Sequence, residues 1–162
     1  MTTTSGIGYD CHRLVGDRPL IIGGVRIEHD RGLQGHSDAD VLTHAVIDAL
    51  LGAAALGDIG EHFPDTDSRY KDADSLTLLR AAIELLRAAG FAPLHVDVTV
   101  LIERPHLAPA KGRIRARLAE ALGLEPAHVN VKATRGEGMG FIGRAEGVAA
   151  LAIATVQSPA PA

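Results

Sequence analysis

The stretch DADVLTHAVIDALLGAAALG, residues 38–57, decides the fold. Asp40 is a residue type that caps helices, and Leu42, Ala45, Val46, Ala49 and Leu50 recur at the spacing of one helical face. The pattern predicts a helix from Val41 to about Ala55, with Gly57 as its stop. His44 and Asp48 interrupt the apolar run, which argues against a membrane span.

On the N-terminal side, residues 2–11 mix Thr, Ile and Tyr as a first strand. LIIGGVRI, 20–27, reads as two short strands hinged at Gly23 and Gly24, a hairpin. On the C-terminal side, GDIGEHFPDTDSRYKD, 57–72, carries acids, Gly and Pro without periodicity, and is expected to be a surface loop of the functional kind. Asp74 or Ser75 opens a second helix whose Leu76, Leu79, Ile83 and Leu86 keep helical spacing until Gly90. LHVDVTVLIE, 94–103, alternates Val96, Val98 and Val100 with polar residues, a half-buried strand that Pro105 ends. A third helix at about 109–122, a strand HVNVKAT at 128–134, a glycine-rich GEGMGFIG and a buried strand VAALAIATV at 148–156 complete the order. The expected fold is α/β in α+β-like layers, with helices on one face of a mixed β-sheet. The sheet's other face then needs cover, which its apolar strands suggest is another subunit. Residues 1–157 read as a single domain and SPAPA, 158–162, as a disordered tail.

Composition excludes several functions. Aromatic residues are 3% of the 162 and Trp is absent, so bases have no stacking platform. A net charge of −4 offers no field for nucleic acid or anionic membranes. Cys11 is the only cysteine, which rules out an intramolecular disulfide and a cysteine zinc cage and fits a cytoplasmic protein. No signal peptide is read at the N-terminus.

In a strand, residues two apart share a face, so Asp10 and His12 can converge on one ion while Cys11 points away, toward the expected core. His44, on the polar side of the first helix, is the best third ligand, and His36 lies just before that helix in GHSDAD. Asp, His and His with one position open would be a catalytic rather than a structural zinc site. Exposed strand-edge residues and an ordinary helix histidine would look the same, so spacing leaves both readings open. GMGFIG, 138–143, matches a dinucleotide fingerprint formally, but no βαβ unit can follow it. Its glycines suit a loop close to a ligand, with Lys132, Arg135 and Arg144 as positive charge and Glu137 as a hard-cation ligand; a tight turn with solvated charges is the plainer alternative. FPDTD, 63–67, is by itself a turn.

Together, GYDCHRL, the block 33–67 from LQGHSDAD to FPDTD, then DADS, VKAT and GMGFIGRAEG resemble the 2-C-methyl-D-erythritol 2,4-cyclodiphosphate synthases of the non-mevalonate isoprenoid pathway, from about residue 5 to 157. The resemblance implies a homotrimer with active sites between subunits, each using Zn2+ and a second divalent cation, Mg2+ or Mn2+. It implies attack by the 2-phosphate of a cytidine diphosphate substrate, 4-diphosphocytidyl-2-C-methyl-D-erythritol 2-phosphate, on its own β-phosphorus, with release of CMP. Asp10, His12 and His44 match the zinc ligands and Glu137 the ligand of the second metal. His36 matches a transition-state stabiliser and Ser37 a contact of the attacking phosphate. Asp58, Ile59 and Gly60, with Phe63, Pro64, Asp65, Thr66 and Asp67, match segments around the ribose and methylerythritol. Ile102, Glu103, Arg104, Pro105, His106, Leu107 and Ala108 match the cytidine-binding segment, although His106 stands where some relatives carry lysine. Phe141 and Arg144 match residues near the phosphates and threefold axis, where some members bind an isoprenoid diphosphate; Tyr9 and Arg144 would line that cavity here. The run Thr134, Arg135, Gly136, Glu137 departs from the pattern, because Arg135 occupies the place of a catalytic threonine. A guanidinium can hold a diphosphate by charge-assisted bonds, with a different reach. Two other functions fit subsets of these features: a zinc-dependent nucleotide-diphosphate phosphohydrolase and a non-catalytic isoprenoid-diphosphate binder.

Overall fold

The computed structural model describes residues 1–159. Strand β1 runs from Thr2 to Gly16, followed by short strands β2 (Leu20–Ile22), β3 (Val25–Ile27) and β4 (Arg31–Leu33). Helix α1 spans Val41–Ala53, α2 Ile59–His62, α3 Ser75–Ala88, α4 Lys111–Leu122 and α5 Gly140–Gly143. Strands β5 (Ala92–Leu101), β6 (Val129–Thr134) and β7 (Gly147–Ser158) complete the chain.

Five strands form one mixed sheet in the order β4-β1-β7-β5-β6, with β5 and β6 parallel and the other pairs antiparallel. Strands β2 and β3 form the hairpin expected at Gly23 and Gly24. Helix α1 lies across β1 and β7, α3 packs beside α1, and α4 covers β6. Helices α1, α3 and α4 thus occupy one face, over a core that includes Val96, Val98 and Val100 of β5 and Ala150, Ala152 and Ala154 of β7.

The approach of α1 depends on two glycines of β1. A Cβ on Gly8 would stand 1.8 Å from the Ala45 carbonyl oxygen, and one on Gly6 2.2 Å from that of Ala49. Side chains on β1 continue the same face at Asp10 and His12, so the contact that seats the helix also sets its distance from these two residues. The opposite face carries Ile7, Tyr9, Leu151 and Ile153, all at least 41% exposed.

Cys11 corrects one expectation. It does point away from Asp10 and His12, but toward the open face, where it is exposed, rather than into the core. Alternation assigns residues to faces without saying which face the helices cover. Strand β1 also runs five residues beyond Cys11, and β4 pairs with its end through Leu14 and Leu33. The loop 57–72 contains α2 and a 3-10 turn at Ser68–Tyr70, capped by Asp58 and Asp67. The glycine-rich stretch encloses the single turn α5. At the other end, Ser158 is still in β7, paired with Thr2; residues 160–162 of the expected tail lie outside the described residues.

Candidate metal centre and substrate cavities

Asp40 starts α1 by accepting a hydrogen bond from the Thr43 N–H, which places His44 in the first turns, facing β1. Asp10 Oδ2 lies 2.8 Å from His12 Nε2 and 3.1 Å from His44 Nδ1, and the two nitrogens are 3.4 Å apart. Ligands ~2.0–2.1 Å from a tetrahedral centre are separated by ~3.3 Å, so the three atoms have the dimensions of one tetrahedral face. Asp10, His12 and His44 form a group able to hold a metal ion.

The surrounding hydrogen bonds favour that role. His12 Nδ1 lies 2.9 Å from the Gln34 carbonyl, which can only accept, so the Nδ1–H donates and Nε2 keeps its lone pair for the triad. His44 Nε2 faces the hydroxyls of Ser75, at 2.8 Å, and Ser37, at 3.2 Å. Burial alone would raise the Asp10 pKa, but the His12 and His44 rings, which in their doubly protonated forms donate to Asp10 in place of a cation, outweigh it through hydrogen bonds and charge and hold the carboxyl below its ordinary 3.8. Burial pulls His44 down, yet the hydrogen bond and charge of Asp10 prevail and raise it above 6.5. The triad therefore competes strongly for a positive charge, whether proton or cation.

The triad lies in a cavity of about 430 Å3 together with His36, Ser37, Asp48, Ile59, Gly60, Phe63, Pro64 and Asp65. His36 is anchored by Nε2 donating to the Asp67 carbonyl at 3.2 Å. Arg18 donates to the carbonyls of Gly35, at 3.1 Å, and Ser37, at 2.9 Å, clamping the segment that carries His36. Of the other residues expected near the sugar, Asp58 caps α2, Thr66 is exposed on the loop, and Asp67 caps the 3-10 turn and pairs with Arg69.

A separate hollow of about 310 Å3 gathers Ile102, Pro105, His106, Leu107 and Ala108 with Thr134, Arg135 and Glu137. Glu103 organises this region by accepting from the backbone N–H of Gly136 at 2.8 Å and of Gly138 at 3.3 Å. Arg104 beside it is exposed. Glu137 lies 3.4 Å from Arg135 and, among the described residues, joins no metal-ligand group with the triad. Phe141 lines a third hollow with Cys11 and His12, and Arg144 pairs with Glu146 at 2.9 Å. Within one chain, the residues expected to hold cytidine and those expected to hold zinc line different hollows.

Sequence reasoning missed Asp48, which lines the triad's cavity, accepts from the Ile59 N–H at 2.8 Å and has its pKa raised by burial. Its position four residues after His44 was a readable signal, because that spacing shares a helical face. Ser75 and Asp38, which back His44, gave no such local signal.

A model of the YgbB family matches residues 3–157. The chain belongs to the YgbB family. It is 63% identical over 153 residues to the 2-C-methyl-D-erythritol 2,4-cyclodiphosphate synthase of Salinibacter ruber, an alignment covering 94% of this chain and 98% of that relative. Among solved structures, the bifunctional IspDF of Campylobacter jejuni superposes with a TM-score of 0.94 at 42% identity; the match covers 98% of this chain and 43% of that one. A 2C-methyl-D-erythritol-2,4-cyclodiphosphate synthase in a form bound to CDP matches with a TM-score of 0.87 and 35% identity over 94% of this chain and 99% of the other. The YgbB fold and the Asp-His-His group thus occur together in this chain.

Proposed function

We propose that the protein is a cyclodiphosphate synthase, converting 4-diphosphocytidyl-2-C-methyl-D-erythritol 2-phosphate to 2-C-methyl-D-erythritol 2,4-cyclodiphosphate and CMP. The observation that carries this reading is the convergence of Asp10, His12 and His44, 2.8–3.4 Å apart, in the same cavity as His36 and Ser37. An oxygen of the substrate's 2-phosphate forms a bond to the β-phosphorus. The bond from that phosphorus to the α,β-bridging oxygen breaks, and the bridging oxygen leaves on CMP with the electron pair. Neither water nor a protein nucleophile takes part.

Such a transfer depends on in-line placement and charge neutralisation. Zn2+ at Asp10, His12 and His44 and a second divalent cation, Mg2+ or Mn2+, at Glu137 would supply Lewis-acid charge to the diphosphate oxygens. His36, steadied by Asp67, and the Ser37 hydroxyl hold the attacking phosphate. Ile59, Gly60 and the Phe63–Asp65 edge shape the wall against the sugar portions, with Asp58, Thr66 and Asp67 behind it. The Ile102–Ala108 segment reads the cytidine, and Arg135 with Thr134 and Gly136 holds phosphate charge in place of the usual threonine.

The working unit in this reading is a homotrimer of a single domain, 1–157. The hollow of Ile102–Ala108, Thr134 and Arg135 in one copy completes the triad cavity of the next, which accounts for the division of the site between two hollows. The apolar open face of Ile7, Tyr9, Leu151 and Ile153 turns toward the threefold axis. There Tyr9, Phe141 and Arg144 would meet an isoprenoid diphosphate, Arg144 exchanging Glu146 for its phosphates. No helix of the described residues is long and apolar enough to cross a membrane. The lone cysteine fits a cytoplasmic setting.

The test is a comparison of substrate with its analogue lacking the 2-phosphate. CMP and cyclic diphosphate in equal amounts from the first, and no CMP from the second, are expected. Equal CMP release from both would overturn the reading.

A further inference from the structure

We propose that Ser75 and Asp38 form a positioning pair that fixes the His44 ring as a metal ligand and leaves Ser37 free for substrate; this rests on the metal-site reading above. Ser75 is fully buried and is the first residue of α3. Its hydroxyl meets two groups, Asp38 Oδ1 and, at 2.8 Å, His44 Nε2. A hydroxyl has one proton to give. The carboxylate can only accept, so the proton goes to Asp38 and the lone pair of Ser75 Oγ accepts from His44 Nε2–H. In a neutral imidazole that leaves Nδ1 bare, and Nδ1 is the atom 3.1 Å from Asp10 and 3.4 Å from His12 Nε2. The direction of one buried hydroxyl therefore selects the tautomer that a cation requires.

Asp38 is itself held. Its Oδ2 accepts from the Ser75 N–H at 3.0 Å, its Oδ1 from the Asp40 N–H at 3.1 Å, and its own N–H donates to the Ala73 carbonyl at 3.2 Å. The Asp72 N–H donates to the His36 carbonyl at 2.9 Å, so the start of α3 and the segment 36–38 are tied as one unit. Carboxylate, hydroxyl and imidazole form a chain that orients the ring and raises its strength as a donor to a cation.

Ser37 is placed differently, although its Oγ is also near His44 Nε2, at 3.2 Å. It lines the cavity, which Ser75 does not, and it accepts from the Ala39 N–H at 3.3 Å. With Ser75 already fixing the ring, the Ser37 hydroxyl can turn its proton to a phosphate without loosening the metal. Helix α3 does not depend on the Ser75 hydroxyl for its start, because the Asp74 side chain caps it through the Leu76 N–H. Ala at the first helical position is also a good helix former.

The test titrates metal-free protein with Zn2+ against a competing chelator, and with Co2+ as a visible probe of tetrahedral geometry. Wild type, Ser75→Ala, Asp38→Asn, Ser37→Ala and His44→Ala are compared, with KM measured at saturating metal. Ser75→Ala is expected to bind Zn2+ roughly 10- to 100-fold more weakly, the range for such supporting partners, and to lose intensity in the Co2+ bands. Asp38→Asn should lie between it and wild type. Ser37→Ala should keep wild-type Zn2+ affinity and raise KM. Wild-type Zn2+ affinity in Ser75→Ala, while His44→Ala loses binding, would overturn the proposal and leave the metal site standing. If Ser75→Ala does not fold, wild-type affinity in Asp38→Asn overturns it. Failure of the wild type to bind Zn2+ would instead overturn the metal-site reading and this proposal together.

Discussion

Replacing Asp40 with Ala removes a single side chain that joins the fold to the site. Asp40 is fully buried; its Oδ1 accepts from Gly23 N–H at 2.8 Å and Thr43 N–H at 3.1 Å, its Oδ2 from Gly24 N–H at 2.7 Å and Thr43 Oγ1–H at 2.9 Å. It thereby pins the β2–β3 hairpin to the start of the helix that carries His44. In Asp40→Ala three backbone N–H groups lose their acceptor, at about 1–3 kcal/mol each, with some relief where water reaches the half-buried Gly24. The expected loss is about 3–6 kcal/mol, against a typical domain stability of ~5–15 kcal/mol. Asp40→Asn keeps one acceptor oxygen and should lose about half as much. Burial, then the charge of Asp38, raises the Asp40 pKa above 3.8 despite the three N–H groups. A raised folded pKa favours the protonated side chain, so the stability it contributes is present at low pH and is lost as pH rises from 3.8 through the raised value. The Asn variant should lack that slope. Urea unfolding of metal-free protein, followed by circular dichroism with linear extrapolation, reads these differences. Asp40→Ala within about 0.5 kcal/mol of wild type would refute the reasoning, since unmet buried donors cannot be that cheap.

Gly8→Ala places a methyl group 1.8 Å from the Ala45 carbonyl oxygen, which forces α1 off β1. It should cost about 1–3 kcal/mol or more by thermal unfolding, and weaken Zn2+ binding by separating His44 from Asp10. His44→Ala should abolish stoichiometric zinc in equilibrium dialysis and leave the far-ultraviolet dichroism unchanged. Arg135→Ala removes a charged donor worth about 1.5–3 kcal/mol, so kcat/KM should fall roughly 10- to 100-fold with zinc content unchanged. Arg135→Thr should recover part of that loss.

Much of the architecture was legible because its signals are local and repeated. The face of α1, the hairpin at Gly23 and Gly24, the alternation of β5 and the shared side of Asp10 and His12 all follow from periodicity and capping. Cys11 shows where that logic stops. On β1 the helix-covered face is the one with Gly6 and Gly8, chosen for backbone clearance, while the larger apolar Ile7 and Tyr9 lie on the open side. Residue size on one strand therefore pointed the wrong way. Strand β4 and helix α2 are three and four residues long, too short for a period to register. In the site, His44 was found through its place on a strongly patterned helix. Ser75 and Asp38 were not, because 31 residues separate Ser75 from His44 and 37 separate it from Asp38, contacts that only the folded chain creates.

The most direct test of the proposed activity is turnover in water enriched in oxygen-18, with mass analysis of both products. Intramolecular attack by the 2-phosphate predicts cyclic diphosphate and CMP that carry no label from solvent. Oxygen-18 in the phosphate products, formed with loss of the cyclic species, would mean that water is the nucleophile, and the cyclising mechanism would be contradicted.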